Sequence, residues 1–318
     1  MRGTLLVIFA SPLTSMHIIR NKKTYFFLSG ILALLSILSI SIYGFRYSTE
    51  FTGGVIVEAF YADTRPEKEI LEKSILVALP GTLSVSIRES GDQQYIIRTA
   101  HLKGEGERNA LKEALTVGGK YQYEERRFSS IGPIFGKELA TKALLALFLA
   151  SLGIILYVAL AFSNTHGAVS SWKYGVIAVI GLIFDILIPL GVFSYLSHIG
   201  ITEIDLLFVT ALLVILGYCT NDTIVVFDRV RENLRRDSEF REKKSFEHIV
   251  GASLWQTLGR SINTVLTVVI VLVAIFFFGG EVTKMFSLAL LIGVISGVYS
   301  TLFFSTPLLV IAEKFSKK

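Results

Sequence analysis

The chain has 318 residues, 52% of them hydrophobic and only 18% charged, with a mean hydropathy of +0.60 and a formal net charge of +5. Ordinary soluble domains carry about 25% charged residues, and here the apolar residues fall in blocks long enough to cross a ~30 Å hydrocarbon layer as helices. A soluble enzyme and a disordered chain are thereby excluded, and the single cysteine, Cys219, allows no internal disulfide.

The first apolar run, Thr4–Met16, is interrupted by Pro12 and is too short to span. Its only early charge is Arg2, so it is expected to be an interfacial or docked segment rather than a signal peptide. The first span is expected at Thr24–Tyr43. About 90 residues follow, Gly44–Lys137, balanced at 13 bases and 13 acids. Within them Val55–Tyr61 alternates as a strand, and Pro66–Leu79 reads as a helix with Ile70, Ile75 and Leu79 on one face. Leu83–Glu89 and Gln94–Thr99 read as strands joined by a turn at Ser90-Gly91-Asp92-Gln93. Gly106–Leu115 is a short helix ending near Gly118-Gly119, and Tyr121–Phe128 is a last strand. The order βαββαβ is the ferredoxin-like pattern, a common scaffold that names no function by itself. No strand carries a catalytic constellation, so the expected role is contact with something outside the membrane.

Five more spans are expected at Leu139–Phe162, Lys173–Leu196, Leu206–Phe227, Ser261–Phe278 and Met285–Ile311. The fold class is therefore an α-helical polytopic membrane protein with six transmembrane helices and one ferredoxin-like α+β extracytoplasmic domain between helices 1 and 2. Its parts are 1–43 (N-terminal segment and first span), 44–137 (the α+β domain) and 138–318 (the other five spans, with a basic cytoplasmic loop at 228–260). Lys and Arg in short flanks set the orientation. Arg20, Lys22 and Lys23 precede the first span, eight bases lie in Asp228–Arg260, and Lys314, Lys317 and Lys318 end the chain. Ser197–Asp205 carries two acids and no base. Both termini are thus expected in the cytoplasm, and the positive charge is a topology signal. It is no nucleic-acid site, because the basic loop is diluted by six acids and has few stacking aromatics.

Several chemistries lack their motif. Gly119-Lys120 is followed by Tyr121 and has no upstream glycine of a nucleotide-binding loop, HExxH and GxSxG are missing, and the five histidines are scattered. No cofactor, metal or enzymatic activity is expected, and any work the chain does draws on something other than a nucleotide bound to it.

Two carboxylates fall inside expected spans, Asp185 and Asp222. Ionisable residues at such depth are functional by default. Asp185, near mid-span, either relays protons or braces helices, and spacing does not decide between them. Asp222 is flanked by Asn221 and Thr223 and lies about 9 Å from Asp228 at the cytoplasmic end. On the fifth span Gln256, Arg260, Asn263, Thr264 and Thr267 recur at three- and four-residue spacing, a polar stripe that brings Arg260 to a depth comparable to Asp222. An arginine moving towards or away from a carboxyl switches its protonation, the minimum machinery of a proton-coupled transporter. The bland alternative for Arg260 is snorkelling to the interface. Intramembrane aspartyl proteases also use two aspartates, but Phe184 precedes Asp185 and Thr220-Asn221 precede Asp222, against the Tyr-Asp and Gly-x-Gly-Asp of those enzymes.

The string Gly217-Tyr-Cys-Thr-Asn-Asp222-Thr-Ile-Val-Val-Phe-Asp-Arg-Val-Arg-Glu-Asn233 resembles the fourth-span signature of the SecF family, within the resistance-nodulation-division superfamily. Glu50-Phe51-Thr52-Gly53-Gly54 resembles the motif that opens the family's external domain. Gly132-Pro133 with Gly136-Lys137-Glu138 resembles the approach to its second span, and Gln256-Thr-Leu-Gly-Arg260-Ser261 with Thr264 and Thr267 resembles its fifth-span motif. The similarity runs along essentially the whole chain. It implies proton-motive-force-driven help in late protein export at the inner membrane, a SecD-like subunit with six further spans, a SecY-type channel, exported polypeptides, protons and membrane lipids as partners. It also implies proton-transfer roles for Asp222 and Arg260. Glu50 stands where the family usually has Asp, and Cys219-Thr220 replace a commoner Ser-Leu or Ser-Ile. The competing readings are a proton-driven exporter of lipids or small hydrophobic molecules from the same superfamily, and a non-conducting scaffold subunit.

Overall fold

The structure is a computed structural model and describes residues 18–80, 85–161, 171–240 and 244–316. The segment Thr4–Met16 lies outside the described residues, as do the first two positions of the strand expected at Leu83–Glu89. Chain contacts divide the protein into two compact units, one made of 1–45, 146–202 and 207–318, the other of 46–145 with 203–206.

The helical unit is built from six helices long and apolar enough to cross a membrane. They are α1 (Lys22–Tyr43), α5 (Pro133–Ala161), α6 (Ser171–His198), α7 (Leu206–Phe240), α8 (Phe246–Phe278) and a sixth made of α9 (Glu281–Tyr299), a π-helical turn (Ser300–Ser305) and α10 (Thr306–Ser316). Small residues let backbones approach where lipid supplies no hydrophobic drive. A Cβ on Gly191 of α6 would lie 2.5 Å from Ser36 Cα of α1. Beside it Ser39 donates to Gly191 O (2.7 Å), and Ser194 donates to Ser39 O (3.0 Å) and Gly44 O (2.7 Å). Tyr174, Phe227, Val230, Val250, Leu309 and Val310 belong to one buried apolar cluster of this unit.

Two features differ from the sequence expectation. Asp228–Arg260, expected as a loop, is helical up to Phe240 and again from Phe246. Its charges explain this: Arg229–Glu232, Arg231–Asp228, Arg236–Glu232 and Arg235–Glu239 pair at three- or four-residue spacing along α7. The sixth span, expected as a plain helix, changes hydrogen-bond register at Ser300–Ser305. Pro307 has no N–H to give the carbonyl one turn back, and Thr306 Oγ1 donates to Thr301 O at 2.6 Å within that turn.

The second unit is an antiparallel sheet in the order β2-β3-β1-β4, with two helices packed on one face. Its elements are α2 (Thr49–Thr52), β1 (Gly54–Phe60), α3 (Lys68–Ala78), β2 (Ser86–Ser90), β3 (Gln94–Thr99), α4 (Glu105–Leu115) and β4 (Glu124–Ile131). Period-two burial in β1 (Val55, Val57, Ala59) and β3 (Tyr95, Ile97) meets Leu71 and Ile75 of α3 and Leu111 and Leu115 of α4. Ile70, expected inward, is 41% exposed, because Leu71 completes the four-residue ridge with Ile75 and Leu79. The last strand starts three residues later than expected, since Val117, Gly118 and Gly119 all take positive φ and prolong the turn. Tyr61 donates to Leu115 O at 2.9 Å, and burial raises its phenol well above the ordinary tyrosine range, so it remains a neutral donor.

Residues 203–206, from the connection between α6 and α7, are strapped to this sheet. Arg98 Nη1 donates to Glu203 Oε2 at 2.5 Å and Arg88 lies 3.6 Å from Oε1. Ile204 bonds Arg46 and Ser48 through its backbone, and Leu206 N donates to Glu50 Oε2. Glu203 and Arg98 side chains are each only 15% exposed, so Glu203→Ala removes a buried acceptor from Arg98 and an ion pair from Arg88. A loss of about 1–3 kcal/mol in the unit's stability is expected, read as faster limited proteolysis of the full chain in membranes; unchanged protection would refute it.

Candidate functional site

The carboxyl of Asp222 sits on α7, half-buried, sixteen residues after that helix begins. Ser261, buried on α8, donates to Asp222 Oδ1 at 2.5 Å. The other oxygen, Oδ2, has no hydrogen-bond partner among the described residues. Arg260 adjoins Ser261 and acts on Asp222 through its charge. The two form no ion pair among the described residues, and the Arg260 side chain is exposed. The expected neighbour of Asp222 was Arg260; the residue that touches it is Ser261. That residue was legible only as part of the fifth-span motif, because it lies off the three-and-four stripe and its aim depends on how α8 is rotated against α7.

The rest of the stripe divides. Gln256 accepts from Arg229 Nε (2.6 Å) and from Asn233 Nδ2 (2.9 Å), and Asn233 also donates to Ser253 (2.8 Å). That cluster clasps α7 to α8 where both helices carry charge, one turn and more away from Asp222. Thr264 donates to Arg260 O and Thr267 to Thr264 O, closing on their own helix. Gln256, Arg260, Asn263, Thr264 and Thr267, with Asn221 on α7, are all exposed on the outside of the helical unit. A polar face on spanning helices is costly in lipid, at several kcal/mol for each unsatisfied group. The stripe is therefore an unfinished surface.

Thr223 turns the other way. It is buried, and its hydroxyl pairs with that of Thr301 in the π-helical turn at 2.9 Å. Asp185, 2% exposed on α6, faces the same turn. Asp185 and Asp222 are not joined by a hydrogen bond among the described residues.

The residues of the motif that opens the external domain, and those that approach the second span, gather in the α/β unit. Phe51 is buried in α2, against the ring of Tyr47. Thr52 donates to Ser48 O at 3.2 Å. Gly53 has φ +79, and a Cβ there would lie 2.6 Å from Pro133 Cα. A Cβ on Gly54 would lie 2.4 Å from Thr99 O, and one on Gly136 2.7 Å from Gly53 N. Gly132 O accepts from Gly136 N at the start of α5. The chain thus enters and leaves the domain through one backbone-to-backbone clasp, which only glycine permits.

Comparison with known proteins places this architecture. The family described as protein export membrane protein SecD/SecF, C-terminal, matches residues 110–314. The chain is 38% identical over 307 residues to the protein translocase subunit SecF of Thermobaculum terrenum, covering 92% of each chain. It is 37% identical over 299 residues to that of Synechocystis, covering 90% of this chain and 91% of the relative. It is 35% identical to the protein translocase subunit SecDF of Bacillus subtilis, of which it spans 36%. The crystal structure of SecDF from Thermus thermophilus, described as a translocon-associated membrane protein, superposes with a TM-score of 0.78 at 28% identity, over 93% of this chain and 38% of that one. Six spans, a ferredoxin-like domain between the first two, and identity above 30% along nearly the full length lead to one conclusion: the chain belongs to the SecF family of protein translocase subunits.

Proposed function

We propose that this chain is the SecF half of a proton-driven motor that assists the late steps of polypeptide export across the inner membrane. Both termini and the charged ends of α7 and α8 lie in the cytoplasm in this reading, and the α/β domain is outside, in line with the clustering of Lys and Arg. The observation that carries it is Asp222: a half-buried carboxyl at membrane depth, held on one oxygen by Ser261, its other oxygen buried without a hydrogen-bond partner among the described residues, with Arg260 as the nearby counter-charge. Loss of a proton leaves a carboxylate that attracts Arg260; gain of one releases it. Work then comes from proton movement, with no nucleotide or metal bound by the chain.

The unfinished polar face of α7 and α8 supports a SecD-like partner. The relatives in which both halves form one SecDF chain are more than twice as long as this one. A SecD-like six-span subunit would cover Asn221, Arg260, Asn263, Thr264 and Thr267. A SecY-type channel and the emerging polypeptide would meet the external domain, and lipids the remaining apolar faces. The gentle purification of the tagged full chain is expected to bring down a second six-span protein with its own external domain, and proton uptake by vesicles is expected only when both are present. A monodisperse chain active on its own would overturn the partnership.

A further inference from the structure

A group of buried hydroxyls lies apart from the Asp222–Ser261 contact. Ser300, Thr301, Ser305 and Thr306 are all fully buried; the first three belong to the one π-helical turn among the described residues and Thr306 follows it directly. Facing that turn, α6 presents Gly181 and Asp185, four residues apart and hence on one side of the helix. A Cβ on Gly181 would lie 2.3 Å from Ser305 Oγ and 4.0 Å from Ser300 Oγ, so the missing side chain makes the notch that these hydroxyls occupy. Two buried atoms here, Asp185 Oδ1 and Ser305 Oγ beside Gly181, have no hydrogen-bond partner among the described residues. Asp185 is 2% exposed and lines a cavity of about 10 Å³ with Val158, Leu182, Thr220 and Thr223. That is room for a single water, and a polar site with orphaned partners is where buried water settles.

We infer that Asp185, a water in this cavity and the hydroxyls of Thr223, Thr301 and Ser300 form an internal relay that makes Asp185 a second proton station behind Asp222. Thr223 follows Asp222 on α7 and is already paired with Thr301 at 2.9 Å. Asp185 and Thr223 line the same cavity, and Thr301 follows Ser300, whose hydroxyl lies 4.0 Å from a Cβ built on Gly181, one helical turn before Asp185. Each hydroxyl or water accepts one proton while passing on another, so the chain returns to its starting composition. The net step takes a proton from the Asp222 carboxyl, leaving a carboxylate, and delivers one to the Asp185 carboxylate. The π-helical turn suits this use, because its widened register points two hydroxyl pairs, five residues apart, into the same space.

This rests on the motor reading, and the test separates the two. Proton uptake and proton-driven export are measured in vesicles holding the full complex, with Asp222→Asn, Asp185→Asn, Asp185→Glu and the double variant Thr301→Val with Ser300→Ala. Asp185→Asn keeps shape and hydrogen bonds, so a brace would tolerate it. A relay is expected to slow at least tenfold, with Asp185→Glu restoring much of the rate. Thr301→Val with Ser300→Ala, which leaves both carboxyls in place, is expected to slow uptake to a similar degree and decides the matter if Asp185→Asn fails to assemble. Wild-type uptake in the Asp185 and hydroxyl variants alongside a dead Asp222→Asn would overturn the relay alone. Wild-type uptake in Asp222→Asn would overturn the motor.

Discussion

Asp222→Asn is expected to abolish proton-dependent export while leaving protein level, assembly and nucleotide-driven early translocation intact. A proton moving down ~150 mV gains roughly 3.5 kcal/mol, at about 2.3 kcal/mol per 100 mV. That is enough to shift a two-state equilibrium several hundred-fold, since 1.4 kcal/mol is a factor of ten. The motor can use it only through a group whose charge differs between the states. Asparagine still offers an oxygen to Ser261, so the contact at 2.5 Å has a replacement and the local packing is preserved. What disappears is the ability to become an anion facing Arg260. Arg260→Ala is expected to do nearly the same from the other side, by removing the counter-charge. The measurement is the protonophore-sensitive part of export of a late translocation intermediate in vesicles, with protein amount held equal. Full proton-dependent export by a well-expressed Asp222→Asn chain would reduce the carboxyl to a structural role.

Gly53→Val is expected to unfasten the α/β domain. Gly53 sits at φ +79, where a β-branched residue is strained by about 1–2 kcal/mol, and its Cβ would press on Pro133 Cα and N at 2.6 and 2.8 Å. Both obstacles are backbone, so the cost cannot be relieved by a rotamer. A total of about 3 kcal/mol or more is expected. Gly30→Val is a fair control for side-chain size in the same chain, because nothing lies within 4 Å of a Cβ there. Protease should cut the domain of the Gly53 variant early while the control resists. Equal resistance in the two would mean that the backbone contact carries little.

Much of this was visible in the residues before any coordinates. Hydropathy locates six spans because lipid makes a simple demand, and β1 and β3 are legible because a half-buried strand must alternate. Where charge and context took over, legibility fell. The helical extension through Phe240 is stabilised by ion pairs, and the start at Phe246 is capped by Ser245, where hydropathy scores only loop. The π-helical turn is a change of hydrogen-bond register, hinted at only by Ser300-Thr301 and Ser305-Thr306 five residues apart and by Pro307. Asp222 was singled out by its depth, but its contact with Ser261 depends on the rotation of two helices, which no local pattern encodes. Glu203 read as an acid in a bare connection; its partner Arg98 lies 105 residues earlier, beyond the reach of spacing arguments.

The clasp of Gly53 on Pro133 and of Gly136 on Phe51 also bears on how such a protein is made and how it diversifies. A domain whose two ends meet leaves its host as a loop leaves a stem, so its size is independent of the distance between the segments that carry it. Residues can be added to its turns, or the whole domain exchanged for a larger one, without respacing those segments. For the ribosome the same geometry imposes an order. About eighty residues separate the two sides of the clasp, and β4 and Pro133 emerge last, so the domain stays open until nearly all of it has been delivered. The chain must therefore hold its own unfinished domain in a foldable state until the clasp can close.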